Sequence, residues 1–522
     1  MKVWMKRAGE LYQKFDEKKY YWIVFGILTA VFLFTRLYEL GQIPRGIHVD
    51  EAGMAFDALG LANYGVDRWL KHLPVYLTNY DSGQSALYAY LAAICIKLFG
   101  FSMTVIRLPA VFSGGLVLVF GYLICKEFWG GTKALFAALL VVICPYFIMA
   151  SRIGLDCNLF LGFFTMAVYL LVLAVKREKL RYYVLAGFSC GLVLYTYAIS
   201  WMTMPVFLLL FIIYMLRCGK MSWKRLFALG IPVFLLAVPL LLFLLVNNGY
   251  MDEIITPFFT IPKLIYYRGA EISPSYLKDN LQMFKNLVTH GPLVYNALPE
   301  YGTLYYVSIP FVVLGAVVVL AESVQSFVRK KFSAQTMVFI MGGSVILTNL
   351  FVYDARVLNK DNAVFFSLAV LIAAAIFWLQ KKIRVAVPVM LLVYAVCGVQ
   401  FVSYYLTDYP TEVYPQDYIY DDVWPAMDYI EENFTDGEPV YVVMDGVQKP
   451  FIYLVLKMQM SPYEYQAAMP TETYGRYHMY YPEELDENGV YIINGNEDKM
   501  TQLEENGFTY ETVGRFRIYS RQ

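Results

Sequence analysis

The chain has 522 residues, 59% of them apolar and 17% aromatic, with 42 basic residues balancing 42 acidic ones. So apolar a composition excludes an ordinary soluble enzyme, and most of the length reads as membrane span. The balance hides an asymmetry: residues 405–522 hold 22 acidic against 7 basic residues, a charge of −15, leaving +15 on the body. A membrane-embedded body (1–404) thus precedes a soluble acidic domain (405–522), and nothing in this pattern asks for a nucleic-acid partner.

Nearly twenty Lys-rich residues precede the first apolar stretch, and no small-residue cleavage site follows it, so an uncleaved span is expected there rather than a signal peptide. A span needs about 20 mostly apolar residues. Eleven stretches qualify: 20–38, 105–125, 134–150, 158–175, 182–200, 202–217, 226–246, 304–321, 336–353, 363–380 and 384–404. A twelfth, 84–99, is short and carries Lys97. Lys/Arg clusters mark cytoplasmic loops, and here they fall at 2–19, 126–133, 176–181, 217–225, 329–331 and 381–384. With the N-terminus inside, all six clusters land inside only if 84–99 does not span, so it is expected as an interfacial helix. The odd count then puts the acidic domain outside.

Two large outer loops follow, 38–104 and 247–303, with short outer turns at 151–157, 198–202 and 354–362. The predicted elements of the tail are helices at 421–434, 449–458 and 497–506, strands at 440–444 and 489–493, and a strand or hairpin arm at 509–520. That is a small α/β domain with no glycine-rich phosphate loop. The seven cysteines sit in or beside apolar segments, with spacing for neither a disulfide framework nor a zinc site.

Chemistry-bearing residues gather on the outer side. Asp50 and Glu51 follow His48 at the start of a helical pattern over 52–64. Neighbours on a helix point about 100° apart, so one acid faces a pocket while the other orients, caps or binds elsewhere. The bland alternative is that Asp50 caps the helix. Arg152 and Asp156 lie in the next outer turn, where charges need water, a partner or a substrate; a local ion pair is the alternative. Two convergent carboxylates, Asp50 and Asp156, would bind a divalent cation such as Mg or Mn, or push one pKa upward. Arg356 and Lys360, in a turn with Asp354 and Asp361, suit a lipid phosphate, with headgroup anchoring as the alternative. His48, Asp81, Gln84, His290 and Tyr301 are candidates for a donor or acceptor groove, each also explicable as a solvated loop residue.

The acid pair in His48-Val49-Asp50-Glu51 is followed in order by Tyr80-Asp81-Ser82-Gly83-Gln84-Ser85-Ala86-Leu87-Tyr88, Leu98-Phe99-Gly100-Phe101, Ile106-Arg107-Leu108-Pro109, Ser151-Arg152 and Asp156. This ordered set resembles the protein O-mannosyltransferase-like group, glycosyltransferase family 39 and its bacterial relatives, within the type C fold. The resemblance implies an α-helical polytopic membrane enzyme that takes a sugar from a polyprenyl-phosphate donor, with inversion, at the outer membrane face. It carries the catalytic-acid role to Asp50, a supporting role to Glu51, and the second-loop acid to Asp156. Loop 247–303 is too short for the β-trefoil of eukaryotic members, and Ser82-Gly83-Gln84 replaces the Lys-Pro-Pro of relatives that modify lipid A. The expected partners are the polyprenyl-phosphate sugar lipid, membrane lipids, and an acceptor protein, glycolipid or glycan. On this reading Arg356, Lys360 and Arg152 neutralise the leaving phosphate while Asp50 takes the acceptor proton. A transporter or flippase of lipid-linked sugars is the main alternative, although transporters favour midplane charges and repeated halves, and a receptor or scaffold with a partner-binding tail is a third.

Overall fold

The computed structural model describes residues 20–80, 82–267, 271–293, 295–411 and 419–521; the Lys-rich N-terminal segment and Asp81 lie outside the described residues. Seven helices among them are long and apolar enough to cross a membrane: Met103–Trp129, Cys157–Arg177, Ser200–Arg217, Trp223–Asn247, Tyr306–Val328, Asn362–Gln380 and Ala386–Thr411. The other four expected spans are shorter apolar helices, Tyr21–Leu37, Gly131–Ile143, Leu180–Val193 and Ala334–Asn349. The segment 84–99 is a strand end followed by a 13-residue apolar helix, Leu87–Phe99, about 20 Å long at 1.5 Å per residue and equal in length to Gly131–Ile143. Its Tyr88, Ala89, Ala92 and Ala93 are buried while Ile94, Leu98 and Phe99 are exposed.

One expected span is broken, and the break shows how the body holds polar groups. Helix Gly131–Ile143 stops before Pro145, and Pro145–Ala150 starts again. Proline has no N–H, so the Val141 carbonyl four residues earlier loses its donor. Arg36 Nη2 donates to it at 2.8 Å and Arg36 Nη1 to the Val142 carbonyl. Tyr305 Oη donates to the Ile143 carbonyl at 2.6 Å, while the Tyr146 N–H turns to the Thr303 carbonyl at 2.9 Å. A guanidinium inside an apolar helix bundle is thereby spent on backbone carbonyls.

Residues 419–521 build a six-stranded mixed sheet. Strand Val440–Met444 lies parallel to Val490–Asn494, with Ile492 opposite Val442. Tyr477–His478 flanks it on the other side, and the hairpin of Thr509–Val513 and Phe516–Ser520 closes the edge. Residues along both inner strands are almost all buried, as parallel strands covered by helices require. The helices are Val423–Asn433, Phe451–Lys457, Pro462–Ala468 and Glu497–Glu505. Pro462–Ala468 and the short pair Thr473–Tyr474 and Tyr477–His478 carry little periodicity and were not among the predicted elements.

This domain sits on the first long loop. Ile419–Tyr420 pairs antiparallel with Ile47–His48, Arg45 meets Asp421 at 3.0 Å, and Gln466 Nε2 donates to the Arg68 carbonyl at 2.7 Å. The loop is itself fixed to the helices by a buried cluster. Glu51 pairs with Arg107 (Nε–Oε1 2.8 Å, Nη2–Oε2 3.1 Å), both fully buried. The remaining Arg107 donors reach the carbonyls of Leu40, Pro44 and Gly46 at 2.8–3.2 Å. Glu51 Oε1 also accepts the Gly154 N–H at 2.6 Å, tying the loop to the turn that bears Asp156. Removing one partner of a buried pair strands the other charge, at a cost of about 3–5 kcal/mol. Arg107→Leu and Glu51→Leu are each expected to lower the unfolding temperature of the purified protein sharply, and the double variant to lose much less than the sum of both. Additive losses in a thermal melt would show that the pair does not act as a unit.

Candidate functional site

Helix Val49–Tyr64 begins with a capping box, and its cap is His48, not Asp50. His48 Nδ1 accepts the Asp50 N–H at 3.1 Å and Glu51 Oε2 accepts the His48 N–H at 3.4 Å. An accepting Nδ1 belongs to the neutral imidazole, and burial holds the His48 pKa below its ordinary value. Asp50 is left at the second helical position with its side chain 45% exposed. The two neighbouring carboxylates part as the helical offset requires: Glu51 goes into the Arg107 cluster and Asp50 to the open side.

Asp50 lies on the wall between two cavities. The first, ≈ 730 Å³, is lined by His48, Asp50, Tyr197, Lys285, His290, Tyr295, Asp354, Arg356, Asn359 and Lys360. The second, ≈ 540 Å³, is lined by Asp50, Asn79, Tyr80, Ser82, Gln84, Asp156, Tyr197, Tyr266 and Lys449. Asp50 and Tyr197 belong to both. One cavity is therefore rich in cations and the other in oxygen atoms, with a half-exposed carboxylate at the division.

A relay of hydrogen bonds orients that carboxylate. Asn79 Nδ2 donates to Asp50 Oδ1 at 3.0 Å. The Asn79 amide is turned this way because its Oδ1 accepts from Arg68 Nη2 at 3.3 Å. Arg68 is in turn fixed by a two-point pair with Asp57, at 2.9 and 2.7 Å. Gly53 makes room: a Cβ there would come within 2.7 Å of both Arg68 Nη2 and Asn79 Oδ1. Tyr80, just after strand Tyr76–Asn79, is held at φ +53, a conformation rare for a bulky residue. Its hydroxyl donates to the Val49 carbonyl at 2.6 Å beside Asp50.

Asp156 opens helix Cys157–Arg177 and accepts backbone N–H groups from Cys157 (2.8 Å) and Ser85 (3.2 Å). Burial pushes its carboxyl up to about 7, the charge of Asp50 adds to this, and the two N–H groups oppose it. Gln84 is buried beside it, and its Oε1 has no hydrogen-bond partner among the described residues.

Several sequence expectations change here. Arg152 is not at either cavity: its guanidinium is buried and donates to the carbonyls of Thr35 (2.8 Å), Tyr38 (2.7 Å) and Ile43 (2.9 and 3.2 Å). Those carbonyls, at the end of the first helix and in the loop after it, need donors, and four of the five N–H groups of Arg152 are committed to them. Glu51 is withdrawn from the reacting side for the same reason, through Arg107. Tyr301 packs on Phe401 and Tyr404 and lines neither of these two cavities. Arg356 and Lys360 do line the cationic cavity, with Arg356 47% exposed and paired to Asp354 at 2.7 Å. His290 lines it too, whereas Asp361 is buried and accepts from Asn349 at 2.7 Å. Asp81 lies outside the described residues. Lys285, Asn79, Arg68 and Tyr197 were not singled out from the sequence; Asn79 directly precedes the Tyr80-Asp81 motif, the one local signal available. Among the described residues no group of three His, Cys, Asp or Glu side chains is arranged to hold a metal.

Residues 84–246 match the dolichyl-phosphate-mannose-protein mannosyltransferase family. No curated protein matches the chain. Among solved structures, the chain is similar to ArnT from Cupriavidus metallidurans bound to undecaprenyl phosphate, at 14% identity and a TM-score of 0.56, over 95% of this chain and 97% of that one. It is also similar to an oligosaccharyltransferase of Archaeoglobus fulgidus tethered to an acceptor peptide (12% identity, TM-score 0.53, 98% of this chain and 75% of that one). A third is the archaeal oligosaccharyltransferase AglB from Archaeoglobus fulgidus in complex with an inhibitory peptide and a dolichol-phosphate (13% identity, TM-score 0.51, 85% and 64%). The resemblance read from the sequence is thus borne out: the chain is a multi-pass membrane protein with the type C glycosyltransferase fold, similar over residues 84–246 to the dolichyl-phosphate-mannose-protein mannosyltransferases.

Proposed function

We propose that the protein transfers a sugar from a polyprenyl-phosphate donor to an acceptor hydroxyl at the outer membrane face, with inversion and with Asp50 as the base. The observation that carries this reading is the position of Asp50 between a cationic and an oxygen-rich cavity. The lipid phosphate occupies the cationic side, near Lys285, Arg356 and Lys360. The acceptor hydroxyl approaches from the other side, in the cavity that Asp50 shares with Asp156. Asp50 takes the hydroxyl proton as the acceptor oxygen bonds to the anomeric carbon. The bond from that carbon to the phosphate oxygen breaks, and its electron pair leaves with the polyprenyl phosphate. Charge on that phosphate grows toward the transition state, so fixed cations stabilise it preferentially.

Glu51 and Arg152 act in this scheme as positioning residues, and Asn79 and Arg68 hold Asp50 in register. A divalent cation, Mg or Mn, would find hard oxygen ligands in Asp50, Asp156 and the Gln84 Oε1 that lacks a hydrogen bond. When bound it would supply Lewis-acid polarisation of an oxygen. On this reading the N-terminus lies in the cytoplasm and the C-terminal domain outside the cell, an orientation supported by the Lys/Arg clusters, which then fall on cytoplasmic loops.

General base assistance is worth about 10²–10⁴-fold. Asp50→Asn is therefore expected to cut transfer from a labelled polyprenyl-phosphate sugar by at least about 100-fold while donor binding persists; wild-type turnover by this variant would remove Asp50 from the mechanism. Lys285→Gln and Arg356→Gln are expected to raise KM for the donor and to lower kcat as well, since the cations meet a charge that grows toward the transition state. The pH profile offers a separate check. Asp156, with its carboxyl raised to about 7, is protonated below that pH and ionised above it, where it becomes a second carboxylate able to accept from the incoming hydroxyl. Activity is expected to rise through about pH 7, and Asp156→Asn to flatten that limb. A limb unchanged in the variant would assign the titration to another group.

A further inference from the structure

A third cavity, ≈ 210 Å³, opens where the C-terminal domain meets the first loop, and the reaction scheme does not use it. Its walls come from both parts of the chain: Arg68 and Tyr80 from the loop, Phe451, Tyr465, Glu472 and Tyr474 from the domain. Three of these rings are within 23° of parallel, and each centroid lies 5.9–6.3 Å from the other two. A stacked column would put the outer pair twice as far apart as neighbours, so the three rings are near-parallel and mutually offset, a cluster and not a column. Tyr80 stands at one end, with Arg68 and Lys449 over its ring at 5.4 and 5.6 Å.

The polar groups of this cavity are few and balanced. Arg68 is buried, 1% exposed at its side chain, and its Nη1 has no hydrogen-bond partner among the described residues. Its charge is matched by Asp57, so what it offers an occupant is an N–H donor and not a net charge. Lys449 and Glu472 carry opposite charges at the rim. Aromatic faces with a balanced donor and acceptor set suit a neutral hydroxylated ring: its C–H face lies against the negative ring faces, and its hydroxyls meet Arg68 Nη1 and Glu472. An anionic polymer would find no net positive charge here. Against pockets for drug-sized ligands of about 300–1,000 Å³, this one holds a single ring-sized group.

Its location connects it to the reaction. Tyr80 and Lys449 line both this cavity and the oxygen-rich one that contains Asp50. Arg68, on the wall of the small cavity, is also the far end of the relay through Asn79 to Asp50. We propose that this aromatic cavity between the first loop and the C-terminal domain is an acceptor subsite for a neutral glycan, which seats one sugar so that the next presents its hydroxyl to Asp50. The inference rests on the transferase reading and gives it an acceptor class.

The test uses the full chain in nanodiscs, titrated by calorimetry with neutral trisaccharides of mannose, glucose and N-acetylglucosamine, and with a trimer of galacturonic acid. At least one neutral trisaccharide is expected to bind saturably, with affinity reduced at least tenfold by Phe451→Leu and by the surface change Glu472→Gln, and unchanged by Lys285→Gln in the donor cavity. Absence of binding by every neutral trisaccharide, preference for the uronic-acid trimer, or full affinity in a folded Glu472→Gln variant would overturn the subsite. Release of polyprenyl phosphate from a labelled donor is measured alongside. Neutral glycan binding without any donor turnover would count against the transferase reading and leave the subsite standing; turnover without glycan binding would do the reverse.

Discussion

The buried pair of Glu51 and Arg107 is the constraint on which the first long loop and everything seated on it depend. An ion pair out of water is stable only when its remaining donors and acceptors are satisfied, and here they are satisfied by the chain itself. Arg107 gathers three carbonyls of the first loop, and Glu51 takes the N–H of Gly154 and of His48. The helix that begins at Val49 is fixed in rotation as well as position. With Glu51 committed inward, its neighbour Asp50 has to project about 100° away, into the space between the cavities. The same loop supplies Ile47–His48, the edge to which the C-terminal domain adds Ile419–Tyr420. A single electrostatic contact thereby sets the site and the seat of the second domain.

Charge is sorted by use. Arginines 36, 107 and 152 sit deep in the protein and serve backbone carbonyls left without donors by a proline break and by irregular loop. The cations at the cationic cavity, Lys285 and Arg356, are exposed and reach it from the later loops. These three buried guanidinium groups build the frame, while the two exposed cations face a cavity. The oxygen-rich cavity shows the complementary logic, with Asp156 buried enough to titrate near neutrality and Asp50 open enough to meet an incoming group.

Much of this was legible in the sequence. Apolar length located the helices, among them the short helix Leu87–Phe99 within 84–99. Period and alternation located Val440–Met444, Val490–Asn494 and Glu497–Glu505 in the tail. The parting of Asp50 and Glu51 followed from helix geometry alone. What stayed hidden is long in range. Glu51 and Arg107 are 56 residues apart and Arg152 lies 117 from the carbonyl of Thr35; no local pattern reports that a guanidinium will be consumed by backbone. Arg152 looked like a phosphate ligand for that reason, and Lys285, in a loop without periodicity, did not look like one. The break before Pro145 was visible as a proline inside an apolar run, but the donors that make it tolerable come from Arg36 and Tyr305.

In the proposed reaction, lipid phosphate and acceptor meet across Asp50 from opposite cavities. A cryo-electron microscopy map of the full chain in nanodiscs with a polyprenyl phosphate tests it directly. Phosphate density is expected in the cationic cavity, in contact with Lys285 and Arg356 and on the far side of Asp50 from Asp156. Density for the phosphate beside Asp156 and Gln84, or at the opposite membrane face, would contradict it.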